Sequence, residues 1–190
     1  EQIKKHRISI LYIRPDLSVL NDSQKKQDKA IFKILQEYTR SAVFERMYIC
    51  DNACIENILG DVPIISLYDM INQTIVTTMH MLNVFEHTEA VIATKYDKDP
   101  SARLSTIGVV DLETSDEKLF FPLDKPREKI YIYGVNEERL SSEGGLHKKI
   151  KNQVKNYKDN DIVKISYSIH ATKYEEDIGY CIHNTALIQD

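Results

Sequence analysis

The stretch YICDNACIENIL, Tyr48 to Leu59, decides how the rest of the chain is read. A short apolar run ending at Cys50 reads as a strand, and an apolar-periodic segment from Asn52 reads as a helix. Only Asp51 and Asn52 stand between them. Two polar residues at a strand-to-helix junction serve as a helix cap, or as a site where a side-chain amide meets a ligand at the end of a strand. Asn52 fits either use.

Upstream, RISILYI (Arg7 to Ile13) reads as a strand stopped by Arg14-Pro15. The following SQKKQDKAIFKILQEYTRSA reads as an amphipathic helix, with Ile31, Ile34, Leu35 and Tyr38 on its apolar face. FERMYIC then returns as a strand. Strand, helix, strand predicts a crossover between parallel strands.

Downstream, IISLYDMINQTIVTTMHMLNVF places apolar residues at 64, 67, 68, 71, 75, 79 and 82, a helical period over about six turns. Its many β-branched residues oppose intrinsic helicity, so burial on more than one side is expected to hold it. EHTEAVIATKYDK reads as a further helix ended by Asp99-Pro100. From about residue 100 the character changes. RLSTIGVVDLE, EKIYIYGV, DIVKISYSIHAT and IGYCIHNTALI read as four strands. EGGLHKKIKNQVKNYKD reads as a helix with Leu146, Ile150, Val154 and Tyr157 on one face, and Gly144-Gly145 as its starting turn.

Bulk properties exclude several classes. Of the 190 residues 42% are hydrophobic and 28% charged, as in an ordinary globular protein, and the net charge of -4 offers no basic field for nucleic acid. No apolar run of about 18 residues and no signal peptide is present, so a cytoplasmic protein that engages no membrane is expected. Three cysteines without paired spacing argue against a disulfide framework. His80 and His87 are seven apart with no Cys or carboxylate to complete a set, so no metal site is expected. The basic run Lys148, Lys149, Lys151, Lys155 and Lys158 covers the polar face of one helix and reads as a solvated face.

In order, strand, helix, strand, Asp-Asn, one long helix and a small sheet domain resemble the second half of the tubulin/FtsZ superfamily. YICDNACIENIL resembles the tubulin segment Asp-Asn-Glu-Ala-Leu before the central helix. LGDVPIISLYDMINQT resembles the bacterial Leu-Gly-x-x-x-Ile-x-Leu-x-Asp, and Tyr68-Asp69-Met70-Ile71-Asn72 resembles the tubulin Tyr-Gly-Asp-Leu-Asn. The mixture is similar to a divergent prokaryotic, plasmid or phage member. The resemblance implies an α/β chain: the last strands of a Rossmann-like GTPase domain (1–60), a central helix (61–85), and an activation domain (86–190) with a four-stranded mixed sheet and two helices.

It also implies roles. Asn52 hydrogen-bonds guanine, Tyr68 stacks on it, and Asn72 reads its edge. The spacing agrees, since residues four apart lie one above the other on a helix face. The family's Asn-x-Asp-x-x-Asp loop polarises water against the nucleotide of the next subunit. Its nearest match is NVFEHTE, with Glu86 and Glu89 as the acids; the same pair also reads as two solvated acids capping a helix start. The implied ligand is GTP/GDP, and the implied partner is the protein itself in a head-to-tail filament for cell division or DNA segregation. The family's Gly-rich phosphate loop has no counterpart among the six glycines. The expectation is therefore a preceding GTPase half, which would also bring Mg2+, and a chain that does not turn over GTP alone. The alternative is a naturally truncated, non-enzymatic relative that caps or regulates filaments.

Overall fold

The computed structural model describes residues 7–94, 98–157 and 163–190. Its strands are β1 (Ser9–Arg14), β2 (Arg46–Asp51), β3 (Ile92–Ala93), β4 (Leu104–Val110), β5 (Glu117–Leu119), β6 (Glu128–Asn136), β7 (Lys164–Thr172) and β8 (Ile178–Thr185). Its helices are α1 (Asp22–Arg40), α2 (Asn52–Leu59), α3 (Leu67–Glu86), α4 (Glu137–Ser142) and α5 (Leu146–Asn156). All strands join one mixed sheet in the order β1-β2-β4-β8-β6-β7-β3, with β5 beside β4. β1 and β2 are parallel, as the strand-helix-strand pattern predicts. The four strands expected for the small domain are present. They continue into β2 through the parallel register Met47↔Leu104, Tyr48↔Ser105 and Ile49↔Thr106.

Strand alternation builds the layers. Successive side chains point to opposite faces, so Ile130 and Ile132 of β6 meet α3 while Tyr131, Tyr133 and Val135 meet α5. The α3 side also buries Cys50, Ile55, Ile107 and Tyr180 against Ile71, Ile75, Leu82 and Phe85. On the other face Leu146, Ile150 and Val154 of α5 form one cluster. Phe32 of α1 packs with Met47, Ile49 and Leu104 in another. Gly145 begins α5 at φ +96°, a left-handed turn suited to glycine, as expected.

Four local expectations are revised. The segment after Glu86 is not a helix over its described part. α3 stops at Glu86, His87 and Thr88 turn back on Val84 and Phe85, and Ile92–Ala93 pairs with β7. The β-branched residues Val91, Ile92 and Thr94 suit that open edge better than another helical turn; residues 95–97 lie outside the described residues. The buried face of α1 is not the expected stripe either. Ile31, Ile34 and Tyr38 are half exposed, while Asp28, Phe32, Gln36 and Thr39 are buried. The polar members can be buried because they are partnered: Gln36 exchanges two hydrogen bonds with the backbone of Gln189, and Asp28 takes Tyr12 and Arg14. Third, α3 is buried along one side only. Its outer stripe, Tyr68, Asn72, Val76 and His80, is exposed. Finally, α4 and the short strands β3 and β5 are additions to the expected elements.

Candidate functional site: the strand ends and the two ends of helix α3

The β2–α2 junction resolves into two separate jobs. Asp51, not Asn52, is the cap: its Oδ1 accepts from the backbone N–H of Ala53 at 2.8 Å and of Cys54 at 3.2 Å. Asn52 is the first helical residue and is free of that duty. Its Oδ1 is buried and accepts no hydrogen bond from any described residue. A buried amide oxygen without a donor is costly and uncommon in a folded chain. It lies immediately after the carboxyl end of β2, whose last residue Asp51 pairs with Arg14 at the end of the parallel strand β1. Carboxyl ends of parallel strands are where open α/β sheets bind ligands.

Tyr68 and Asn72 sit one turn apart near the start of α3, and both project to solvent. The Tyr68 side chain is 66% exposed. Asn72 is therefore open to solvent, where burial of the helix on more than one side was expected; its donor and acceptor are both free to meet a ligand. Ile64 and Ile65 just before the helix are exposed as well. Together these residues form an aromatic, amide and aliphatic surface at one end of α3. α2 packs against that helix through Ile55, Ile58 and Leu59.

Glu86 and Glu89 lie at the other end. Glu86 is the last residue of α3, Glu89 follows in the turn, and both are exposed. The Glu86 carboxylate is felt by Tyr48. Burial raises that phenol above its ordinary pKa, Arg46 opposes the shift and Glu86 reinforces it. A cavity of about 370 Å³ opens beside Glu89, between Phe85, Thr88, His170 and Thr172. His170 is buried there, its ring 4.8 Å from that of Phe85 and its Nδ1 3.2 Å from Thr88 Oγ1. Burial lowers its pKa and favours the neutral ring. Eighteen residues separate Tyr68 from Glu86, which at about 1.5 Å per residue is about 27 Å of helix. Glu86 and the exposed Tyr68 surface of one chain are thus held apart by a rigid rod.

The sequence matches no family model and no curated protein. Solved structures do match the fold. TubZ of Bacillus thuringiensis serovar israelensis, in GDP-form protofilaments, superposes with a TM-score of 0.69 at 16% identity, over 96% of this chain and 55% of that one. FtsZ of M. jannaschii, as an empty dimer, gives 0.66 at 8% identity over 94% and 54%. The chain has the tubulin/FtsZ fold. CetZ from Methanosaeta thermophila strain DSM 6194 gives 0.65 at 16% identity over 97% of this chain and 53% of that one. The chain spans about half the length of each of these structures.

Other features of this tubulin/FtsZ fold were not legible beforehand. A cavity of about 1020 Å³ lies away from α3 and is acidic, with Asp111, Glu113, Asp116, Glu138 and Asp177 around Arg139. Arg139 ties it together, pairing with Glu113 at 2.9 Å and with Asp177. Lys149 pairs with Glu113. Lys148, Lys151 and Lys155 stay on the solvated face expected for them, and Lys158 lies outside the described residues. His80 and His87 are both exposed. Among the described residues no helix is long and apolar enough to cross a membrane.

Proposed function

We propose that this chain is the C-terminal portion of a tubulin/FtsZ-like GTPase that binds GTP between subunits and assembles head to tail. Residues 1–60 close the nucleotide-binding domain, 61–85 are the central-helix segment, in which the regular helix α3 begins at Leu67, and 86–190 form the activation domain. The separation along α3 carries the reading. Groups about 27 Å apart on one rigid helix cannot converge on one small molecule. They can converge when the Glu86 end of one subunit meets the Tyr68 end of another. Filament structures of TubZ and a dimer of FtsZ share the fold and support such self-association.

The residue chemistry fits a guanine. Its N1–H and N2–H donors match the orphaned Oδ1 of Asn52, its flat face matches the exposed ring of Tyr68, and its edge matches the amide of Asn72. Glu86 and Glu89 carry carboxylates able to hold a water by hydrogen bonds where a γ-phosphate would arrive. GTP supplies the bond that is broken. A role in cell division or in DNA segregation is part of the proposal, the latter in keeping with a matching structure described as a plasmid-segregation TubZ.

The test uses the intact natural protein. Asn52→Ala and Asn72→Ala weaken GTP binding, while Glu86→Ala with Glu89→Ala leaves binding intact and lowers turnover in the assembled state. Unchanged GTP affinity in both asparagine variants would remove the guanine assignment.

A further inference from the structure

Three metal-ligating side chains meet on the α5 face of the sheet. Cys181 and His183 stand two apart on β8 and therefore project to the same side. Glu117 reaches them from β5, the short strand that folds back on β4. One donor atom from each of Glu117, Cys181 and His183 lies within 4.8 Å of the other two. The Glu117 carboxylate is 2.7 Å from His183 Nε2 and accepts from the Tyr131 hydroxyl at 3.0 Å. Cys181 is fully buried and His183 is 2% exposed, among Tyr131, Tyr133, Ile150 and Val154. Glu117 is the partly open member and gives access from solvent.

A carboxylate, an imidazole and a thiol are an expensive set to bury together, and an aliphatic trio would fill the same space without that cost. The set is also the one that borderline-soft divalent ions select. We propose that Glu117, Cys181 and His183 form a zinc site that pins the β4–β5 hairpin to β8. Ordinary zinc bond lengths of about 2.0–2.3 Å in tetrahedral geometry require ligand separations of about 3.4–3.6 Å. The trio reaches that by opening the His183–Glu117 contact, now 2.7 Å, by under about 1 Å and by settling Cys181 Sγ, already within 4.8 Å of both, at bonding distance of the ion. Cys181 gives up its S–H proton to solvent and binds as thiolate, and the neutral His183 ring carries its single proton on Nδ1 so that the Nε2 lone pair binds the ion. Two anionic ligands then balance the charge of the ion itself, with the buried Lys129 beside Glu117 and Cys181, and a water on the open Glu117 side completes the tetrahedron. The Tyr131 hydroxyl holds the ligating carboxylate from outside, the usual support for such a ligand.

The experiment uses this chain, stripped with a chelator and titrated with Co2+ and then Zn2+. The expected result is one Co2+ per chain, a thiolate-to-cobalt charge-transfer band, and loss of that band on adding Zn2+. Glu117→Gln binds Co2+ at least about tenfold more weakly, by analogy with the loss that even outer-shell changes cause. Cys181→Ser loses the band. Should Cys181→Ser fail to fold, Cys50→Ala/Cys54→Ala decides the matter, because Cys181 is then the one thiol left of the three. The band persists in that variant if the proposal is right. Absence of the band in the unmutated chain, or in folded Cys50→Ala/Cys54→Ala, overturns it, as does a band that survives in Cys181→Ser.

Discussion

Asn52→Ala is expected to stabilise this chain while weakening guanine binding in the intact protein. The stability sign follows from the structure. Asn52 Oδ1 is buried without a donor, and an unsatisfied buried acceptor costs about 1–3 kcal/mol. Alanine removes the acceptor and is the better helix former by roughly half a kcal/mol. Asn52 is only half-buried, so the net gain is placed at the low end, about 1 kcal/mol. For a chain of this size that raises Tm by about 2–4 °C. The neighbouring substitution has the opposite sign. Asp51→Ala removes a cap that satisfies two backbone N–H groups and costs about 1 kcal/mol. Urea denaturation of the two variants beside the unmutated chain reads both effects. In the intact protein, loss of one neutral hydrogen bond worth about 0.5–1.5 kcal/mol weakens GTP roughly two- to tenfold. A residue that costs stability and supplies affinity is kept for binding. If Asn52→Ala instead destabilises the fold by about 1 kcal/mol or more, the oxygen has a structural partner and the reasoning fails.

Further outcomes follow from packing and charge. Gly134→Ala would place a Cβ 2.8–2.9 Å from Phe85, Ile178 and Thr172. Overpacking of that kind costs about 1–3 kcal/mol, and an unchanged urea midpoint would mean that α3 can slide. Asp28→Ala removes the carboxylate partner of the Arg14 guanidinium, which is 11% exposed and keeps the Asp190 carbonyl and the Phe32 ring; loss of such a charged hydrogen bond costs about 1.5–3 kcal/mol, and a loss below about 1 kcal/mol would place the pair in the class of exposed ion pairs. His170 is held neutral by burial, near Thr88, Ser168 and Glu89. Its folded pKa lies below the unfolded value of about 6.5, so the unfolded chain takes the proton first as pH falls. The stability from this residue is full above about pH 6.5 and is lost by the time pH falls through the lower folded value. His170→Asn should flatten the decline of the urea midpoint over that window, and an equal slope in the variant would contradict the assignment.

Much of the frame was readable because it rests on short-range signals. The parallel β1–α1–β2 unit, the long helix and the four later strands all carry clear periods, and Gly145 marked its turn. What was misread depended on distant partners. Asp28 and Gln36 look like solvent residues on a helical wheel, yet they are buried because Tyr12, Arg14 and Gln189 meet them from elsewhere in the chain. Asn72 looked buried because its neighbours are apolar, but one face of α3 has no layer over it among the described residues. Ile92–Ala93 became a strand because β7 offered an edge. The Asp51-Asn52 pair was legible as a junction, while the division of labour between cap and orphan amide needed coordinates. The Glu117, Cys181 and His183 cluster was out of reach. Glu117 is 66 residues from His183, which it touches, and Cys-x-His on a strand carries no spacing signal of its own.

Nucleotide-dependent sedimentation of the intact natural protein tests the central claim most directly. The account predicts pelleted filaments with GTP and none with ATP. The same pelleting with ATP, or none with either nucleotide, would contradict it.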